Sequence, residues 1–208
     1  MTPQATDWNE YYRNAFPLSR LTRAISVRIL LNALRRAGLA ERRALRIAEL
    51  GAGDSRFAEL VVHAFDCAEY HALDNNAEML SRLSERLPFV IPHAVDLRNG
   101  APELRADLAF SMGLIEHFDE AGTERVLRAH FRCVAPGGLV AVMQPTPTRS
   151  YRAVRFCAER LRIWKFPDER PLRDDEVLAA AERCGGVPLD RRISPIGLTQ
   201  TLLLFRKP

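Results

Sequence analysis

Glu49, Gly51, Gly53 and Ser55 occupy alternate positions in the stretch Leu45 to Phe57, where a short apolar run ends in an acid and turns through two glycines. Phe57, Leu60, Val61 and Ala64 then follow at helical spacing, so the stretch reads as strand, tight turn, helix. Glycine serves such a turn because a side chain would hold the backbone away from a ligand lying across it, and because the turn can demand a positive φ. The chemistry is that of a nucleotide-type loop, with Ala52 between the glycines. Counting G-x-G-x-x-G from Gly51 puts Arg56 where a dinucleotide fingerprint needs a small residue, and no Gly-Lys-Ser/Thr follows to make a phosphate loop. Asp74 lies about twenty residues beyond the glycines, the distance at which a carboxylate accepts hydrogen bonds from both ribose hydroxyls. Helix capping is its alternative role, and Asn76 is available as a cap in its place.

Elements must carry these residues to one place. Tyr70 to Leu73 is a brief strand ending at Asp74-Asn75-Asn76, and Ala77 to Leu87 a helix with Met79, Leu80, Leu83 and Leu87 on one face. Phe89 to Val95 is a third strand ending at Asp96, Ala106 to Ser111 a fourth, and Leu139 to Met143 a fifth after the turn Pro136-Gly137-Gly138. Strands alternating with helices imply right-handed crossovers and a parallel sheet. Leu189 to Ile193 and Thr199 to Phe205, joined by a short turn with Pro195 and Gly197, are too close for a crossover helix and pair antiparallel. In an open α/β sheet the ligand lies beyond the carboxyl ends of the strands. Glu49, Asp74, Asp96 and Ser111-Met112-Gly113 all fall at such ends.

The pattern Glu49-x-Gly51-x-Gly53-x-Ser55 resembles motif I of the class I S-adenosylmethionine-dependent methyltransferases, E/D-x-G-x-G-x-G, with Ser55 departing at the third glycine. Ser111 to Phe118 resembles the segment after strand four in ubiquinone-type O-methyltransferases, and Val134-Ala135-Pro136-Gly137-Gly138-Leu139 their turn before strand five. The resemblance runs from about residue 45 to 143. It implies an α/β, Rossmann-like seven-stranded sheet of order 3-2-1-4-5-7-6 with the last strand antiparallel, helices on both faces, and S-adenosyl-L-methionine as cofactor. It also implies that Asp96 meets the adenine amino group and the backbone at Leu97 the ring. Asn75, Ser111 and Met112 complete the cofactor set, and Met79 covers the adenine face or else packs in the core. Metal-assisted members carry a glutamate three residues before the Glu-His pair; Gly113 stands there, so no metal is expected.

A sulfonium methyl is already electrophilic, so the protein has to align a nucleophile, exclude water and remove a proton. His117, on the strand-four loop, is the candidate general base, because imidazole titrates near neutral pH; stacking on the adenosine or capping a helix are its other roles. Residues 6 to 38 are expected to be helical with a break at Pro17. Trp8, Tyr11, Tyr12 and Phe16 there either pack on the domain or form a lid over the cleft. Residues 144–172, punctuated by Pro145, Pro147, Pro167 and Pro171, are a substrate-side insertion that brings Arg149, Tyr151 and Trp164 over the acceptor. Arg149 grips an acidic or phosphorylated acceptor or is simply solvated. Tyr151, Val154, Ala158 and Leu161 are expected to share one apolar helix face.

The 208 residues are read as a single domain, with residues 1–40 as an N-terminal helical cap and 45–143 as the cofactor-binding core. No run of eighteen apolar residues is present to span a membrane and no secretory leader is read, which makes cytoplasmic residence the expectation. Cys67, Cys133, Cys157 and Cys184 form no C-x-x-C pair and are read as core or surface thiols. The net charge is +4, but arginines alternate with acids throughout and no basic tract interleaved with aromatics occurs. A solvated arginine-rich surface is therefore read in preference to a nucleic-acid face, with an RNA or protein methyltransferase and a non-catalytic cofactor-binding or interaction protein as the alternative readings. Small bacterial methyltransferases that the C-terminal part resembles, some of natural-product or surface-glycan pathways, imply a small-molecule acceptor.

Overall fold

The computed structural model describes residues 6, 8, 18–194 and 199–208. Its centre is a seven-stranded sheet of order β3-β2-β1-β4-β5-β7-β6, built from β1 (Leu45–Leu50), β2 (Cys67–Asp74), β3 (Val90–Ala94), β4 (Ala106–Met112), β5 (Val134–Pro145), β6 (Val187–Ile193) and β7 (Gln200–Arg206). The first five strands pair in parallel, and β7 runs antiparallel to both β5 and β6. Alternate residues along the strands feed two separate cores, as a sheet covered on both faces requires. Ile47, Leu108, Phe110, Ala141 and Leu204 pack under α1 (Leu18–Arg36), α2 (Ala58–Ala64) and α3 (Ala77–Arg86). Ala48, Leu50, Ala109, Val142 and Phe205 pack under α4 (Glu120–Cys133) and α6 (Asp174–Arg183).

Local chemistry sets the element ends. Gly38, at φ 81°, ends α1 after Arg35 and Arg36 have met its negative pole. Asn76 caps α3 by accepting from the Met79 N–H, Asp119 caps α4 from Gly122, and Thr148 caps α5 (Arg149–Arg160) from Tyr151.

Three features differ from the sequence reading. The Pro136-Gly137-Gly138 turn lies inside β5 as a bulge: pairing jumps from Ala106↔Val134 to Leu108↔Leu139, and Gly137 sits at φ 77°. It is held there by β7's far end, since Gly137 N–H donates to Lys207 and Lys207 N–H donates to Gly138. On α5, Tyr151 is buried while Val154 and Leu161 are exposed, so the expected apolar face is split. A shallow groove of about 360 Å³ runs along the exposed half beside Cys157 and Ile163. The helix α6 is an addition, its acidic first turn Asp174, Asp175, Glu176 placed where a helix dipole favours it.

The turn with Pro195 and Gly197, and Tyr11, Tyr12, Phe16 and Pro17 of the leading segment, lie outside the described residues. Among the described residues no helix is long and apolar enough to cross a membrane, no group of three His, Cys, Asp or Glu is arranged to hold a metal, and all four cysteines are free thiols.

Candidate active site

Strand order reverses between β1 and β4, and the loops leaving these two strands touch. Gly51, at φ 68°, lies so close to Leu114 that a Cβ would come 2.6 Å from Leu114 Cδ1. Its glycine is thus required by backbone conformation and by the neighbouring loop together. Gly51 and Ala52 N–H both donate to the Leu73 carbonyl, at 2.8 and 3.2 Å, which stitches the turn to β2. Gly53, at φ 50°, donates its N–H to Asp74 Oδ2 at 2.8 Å, while Asp74 Oδ1 accepts from Asn76 N–H at 2.8 Å. Burial pushes the Asp74 carboxyl above its ordinary value, and the backbone N–H groups around it work the other way. Asn75 is exposed at the rim beside it.

Two members of the glycine pattern support the loop from behind. Ser55 Oγ accepts from Phe57 and Ala58 N–H at 3.1 and 3.0 Å, so the residue that departs from the third glycine caps the start of α2. Glu49 is 3% exposed and accepts from the Tyr70 hydroxyl at 2.6 Å. Burial pushes its carboxyl up to about 7, with the Ser55 and Tyr70 hydroxyls opposing the shift.

The other expected cofactor residues spread out. Asp96 turns its carboxylate onto Arg98, with Oδ2 2.7 Å from Nη2, and accepts the Arg98 N–H. Leu97 is buried in the second apolar core, and Met79 is buried in the first turn of α3. Ser111 is buried with its hydroxyl unpaired among the described residues, and Met112 packs at the edge of the first core.

A second cluster forms beyond β4 and β5. His117 closes the turn Ile115–His117, and its Nδ1 lies 3.2 Å from Asp168 Oδ1. Trp8 meets the imidazole edge-on, centroids 4.8 Å apart, and Phe166 lies 6.1 Å away. Burial lowers the His117 pKa, and Asp168 partly restores it. Asp168 also accepts the Thr6 N–H at 3.2 Å and the Thr6 hydroxyl. Burial works against its charge, yet these donors and His117 hold its carboxyl below the ordinary value.

Tyr151 donates its hydroxyl to Glu169, and the Arg155 guanidinium bonds the Glu169 carbonyl at 2.9 Å while lying 5.1 Å over the Trp164 ring. Backbone bonds from Arg170 to the Glu116 carbonyl and from Leu172 to the Pro145 carbonyl fold this segment across the β4 and β5 loops. Glu116 is 2% exposed, and burial, with Glu169 and Asp168 nearby, pushes its carboxyl well above the usual range.

Of the expected acceptor-side residues, the structure gathers His117, Tyr151 and Trp164. Arg149 is exposed at the start of α5. Asp168, Glu169, Arg155 and the buried Gln144 belong to the stretch 144–172 that the sequence places on the acceptor side, without a role for any of them, and Thr6 is an addition. The run Asp168-Glu169-Arg170 between two prolines was the only sequence signal, and it gives no pairing partner.

Residues 48–140 match the family described as a methyltransferase domain. The chain is 32% identical over 99 residues to the trans-aconitate 2-methyltransferase of Acidovorax sp. (strain JS42), covering 48% of this chain and 38% of that protein. It therefore spans well under two thirds of that curated relative's length. Two solved structures share the fold. Magnesium protoporphyrin IX methyltransferase from Synechocystis PCC 6803, with bound SAH, superposes with a TM-score of 0.73 at 10% identity, covering 91% of this chain and 85% of that one. The N-methyltransferase NodS from Bradyrhizobium japonicum WM9, also with SAH, gives 0.64 at 15% identity and 87% coverage of each. With its glycine loop, its 3-2-1-4-5-7-6 sheet and these matches, the chain carries a methyltransferase domain over residues 48–140 and has the fold of the class I S-adenosylmethionine-dependent methyltransferases.

Proposed function

We propose that this protein transfers the methyl group of S-adenosylmethionine to an oxygen or nitrogen of a small-molecule acceptor by direct in-line displacement, with His117 as general base. The observation that carries this reading is the His117–Asp168 pair, 3.2 Å apart, on the β4 loop that touches the glycine turn. If Nδ1 carries its proton toward Asp168, Nε2 is left as the acceptor.

The residues present fit the cofactor. Gly51 and Gly53 turn the backbone at positive φ, and the Asp74 carboxylate and Asn75 stand at the edge of the same turn. Asp74 would hold the ribose, the Gly51–Gly53 backbone the methionine portion, and the Leu97 backbone beside Asp96 the adenine. When bound, S-adenosylmethionine supplies the electrophilic methyl carbon. The chain's own task is to seat the acceptor beside His117, take its proton and keep water out with the Trp8, Phe166 and Trp164 rings. Relatives named for trans-aconitate support a small acceptor.

Tritium transfer from labelled S-adenosylmethionine into metabolite, RNA and protein fractions tests the reading. Label is expected in the metabolite fraction, and label confined to RNA or protein would replace it with a macromolecular acceptor.

A further inference from the structure

The acceptor-side cluster is acidic and aromatic, and the family match ends at residue 140, before most of it. Three carboxyls meet there: Glu116, Asp168 and Glu169. Two have protein partners: Asp168 holds Thr6 and His117, and Glu169 holds Tyr151, with Arg155 3.7 Å from its Oε1. Glu116 differs. Its side chain is almost wholly buried, and Oε2 has no hydrogen-bond partner among the described residues. A buried carboxyl without a partner keeps its proton, and a cation supplied from outside is what would let it ionise there. On the same side, Ser111 Oγ and both amide atoms of Gln144 are also buried without partners among the described residues. These residues sit at the ends of β4 and β5, where alternation puts them on one face of the sheet.

The two arginines packed against this cluster, Arg155 and Arg170, are committed elsewhere, and Arg149 lies exposed at the start of α5. Arg155 bonds Glu159, the Tyr151 hydroxyl and the Glu169 carbonyl, and Arg170 bonds Glu176, Thr123 and the Phe118 carbonyl. A polyanionic acceptor would meet carboxyls and engaged guanidinium groups. A cation meets an acidic floor and the rings of Trp8 and Phe166 beside the imidazole of His117, with Trp164 packed behind Phe166.

We propose that the methyl acceptor is a small amine that enters as its ammonium ion, paired with Glu116 and walled by Trp8 and Phe166, with its nitrogen presented to His117. The proposal rests on the small-molecule reading above and narrows it to one chemical class. The ammonium first gives a proton to His117 Nε2. The freed nitrogen lone pair forms the new N–C bond as the C–S bond of the sulfonium breaks, and the sulfur leaves as a neutral thioether. The product is an N-methylammonium ion, and His117 returns its proton to solvent.

The chain's two tryptophans, Trp8 and Trp164, both belong to this cluster, so intrinsic fluorescence reports on it. With S-adenosylhomocysteine bound, tetramethylammonium is expected to change the emission in a saturable way, and tert-butanol and tricarballylate are not. Glu116→Gln should weaken the cation at least tenfold and leave S-adenosylhomocysteine affinity unchanged; where that variant fails to fold, Glu169→Gln carries the same test. In parallel, tritium from S-adenosylmethionine should enter primary and secondary amines in preference to alcohols and carboxylic acids of matched skeleton. A cation without effect, a tricarboxylate that binds better, or a cation affinity indifferent to both substitutions overturns the proposal. Cation binding that depends on Glu116, with tritium entering only RNA or protein, overturns the small-molecule reading and leaves the ammonium site standing.

Discussion

The loop after β1 and the wall beyond β4 and β5 are held together in different ways. At the loop, the pairs are Gly53 with Asp74 and Glu49 with Tyr70, each 21 residues apart and carried on the adjacent parallel strands β1 and β2 or, for Gly53, on the turn that leaves β1. Once β1 and β2 are in register, these groups meet with little further ordering. At the wall, Thr6 reaches Asp168 across 162 residues and His117 reaches it across 51. Those contacts tie a leading segment, a strand-end turn and an irregular stretch by side chains, each with its own ordering cost. The first region is therefore part of the sheet's own stability, and the second rests on long-range side-chain contacts that can be lost separately from the sheet.

The largest expected effect falls on the loop. Gly53 adopts φ 50° and donates to Asp74, so Gly53→Val puts a β-branched residue in a left-handed conformation at the point where a ligand would cross the backbone. Cofactor binding should be lost while circular dichroism still shows the folded sheet. A folded variant that binds would move the ligand off this turn.

Next comes Glu49, which supports the loop at a cost in stability. Its carboxyl is raised to about 7, so the folded protein carries a proton there that the unfolded chain gives up near ordinary carboxylate pH. The stability linked to that proton is present below about pH 4.5 and lost as pH rises toward 7. Glutamine does not titrate. The stability of Glu49→Gln relative to wild type should therefore climb across this window by about 3 kcal/mol, measured by denaturant unfolding at several pH values. A difference that stays constant with pH would mean that Glu49 is not held protonated behind the loop.

Asp74→Ala should weaken S-adenosylmethionine about ten- to a hundredfold, the loss of a charge-assisted contact of about 1.5–3 kcal/mol. The Gly53 N–H would also lose its acceptor. Calorimetry giving equal affinity in a folded variant would remove the ribose role.

The same contrast explains what was legible in the sequence. The parallel core, the terminal hairpin, the glycine turn and the Asn76 cap follow from patterns spanning at most a few tens of residues, and the resemblance supplied the strand order with its antiparallel insertion of β7. The bulge at Gly137 escaped because Pro-Gly-Gly reads as a turn wherever it stands, and only the β7 partner at Lys207 makes it part of a strand. The split face of α5 escaped because periodicity shows that Tyr151, Val154 and Leu161 align, without showing that Glu169 and Trp164 cover only the first. His117 was visible as a histidine on a strand-four loop. Its partner Asp168 was not, because no spacing rule connects two segments joined only by a tertiary hydrogen bond.

The smallest effects should fall on the wall, and they test whether it closes as a unit. Asp168→Asn removes the carboxylate that raises the His117 pKa against burial, so the acid limb of the pH–rate profile should move to lower pH. Turnover should fall by about tenfold as the imidazole loses its orienting partner, with cofactor affinity unchanged. Thr6→Ala is gentler still, because it deletes the hydroxyl donor to Asp168 and keeps the backbone N–H. One hydrogen bond to a charged group, worth about 1.5–3 kcal/mol when made well, is here shared with a second donor. The expected change is a rise of a few-fold in acceptor KM, with faster hydrogen exchange through residues 145–172 and no change at the glycine turn. In the wild type, cofactor should protect residues 8–20, and acceptor together with cofactor product should extend that protection to 145–170. Exchange unchanged in both segments under saturating ligand, with Thr6→Ala kinetics like wild type, would mean that Thr6 and Trp8 merely pack on the domain. The acceptor would then reach His117 without moving them.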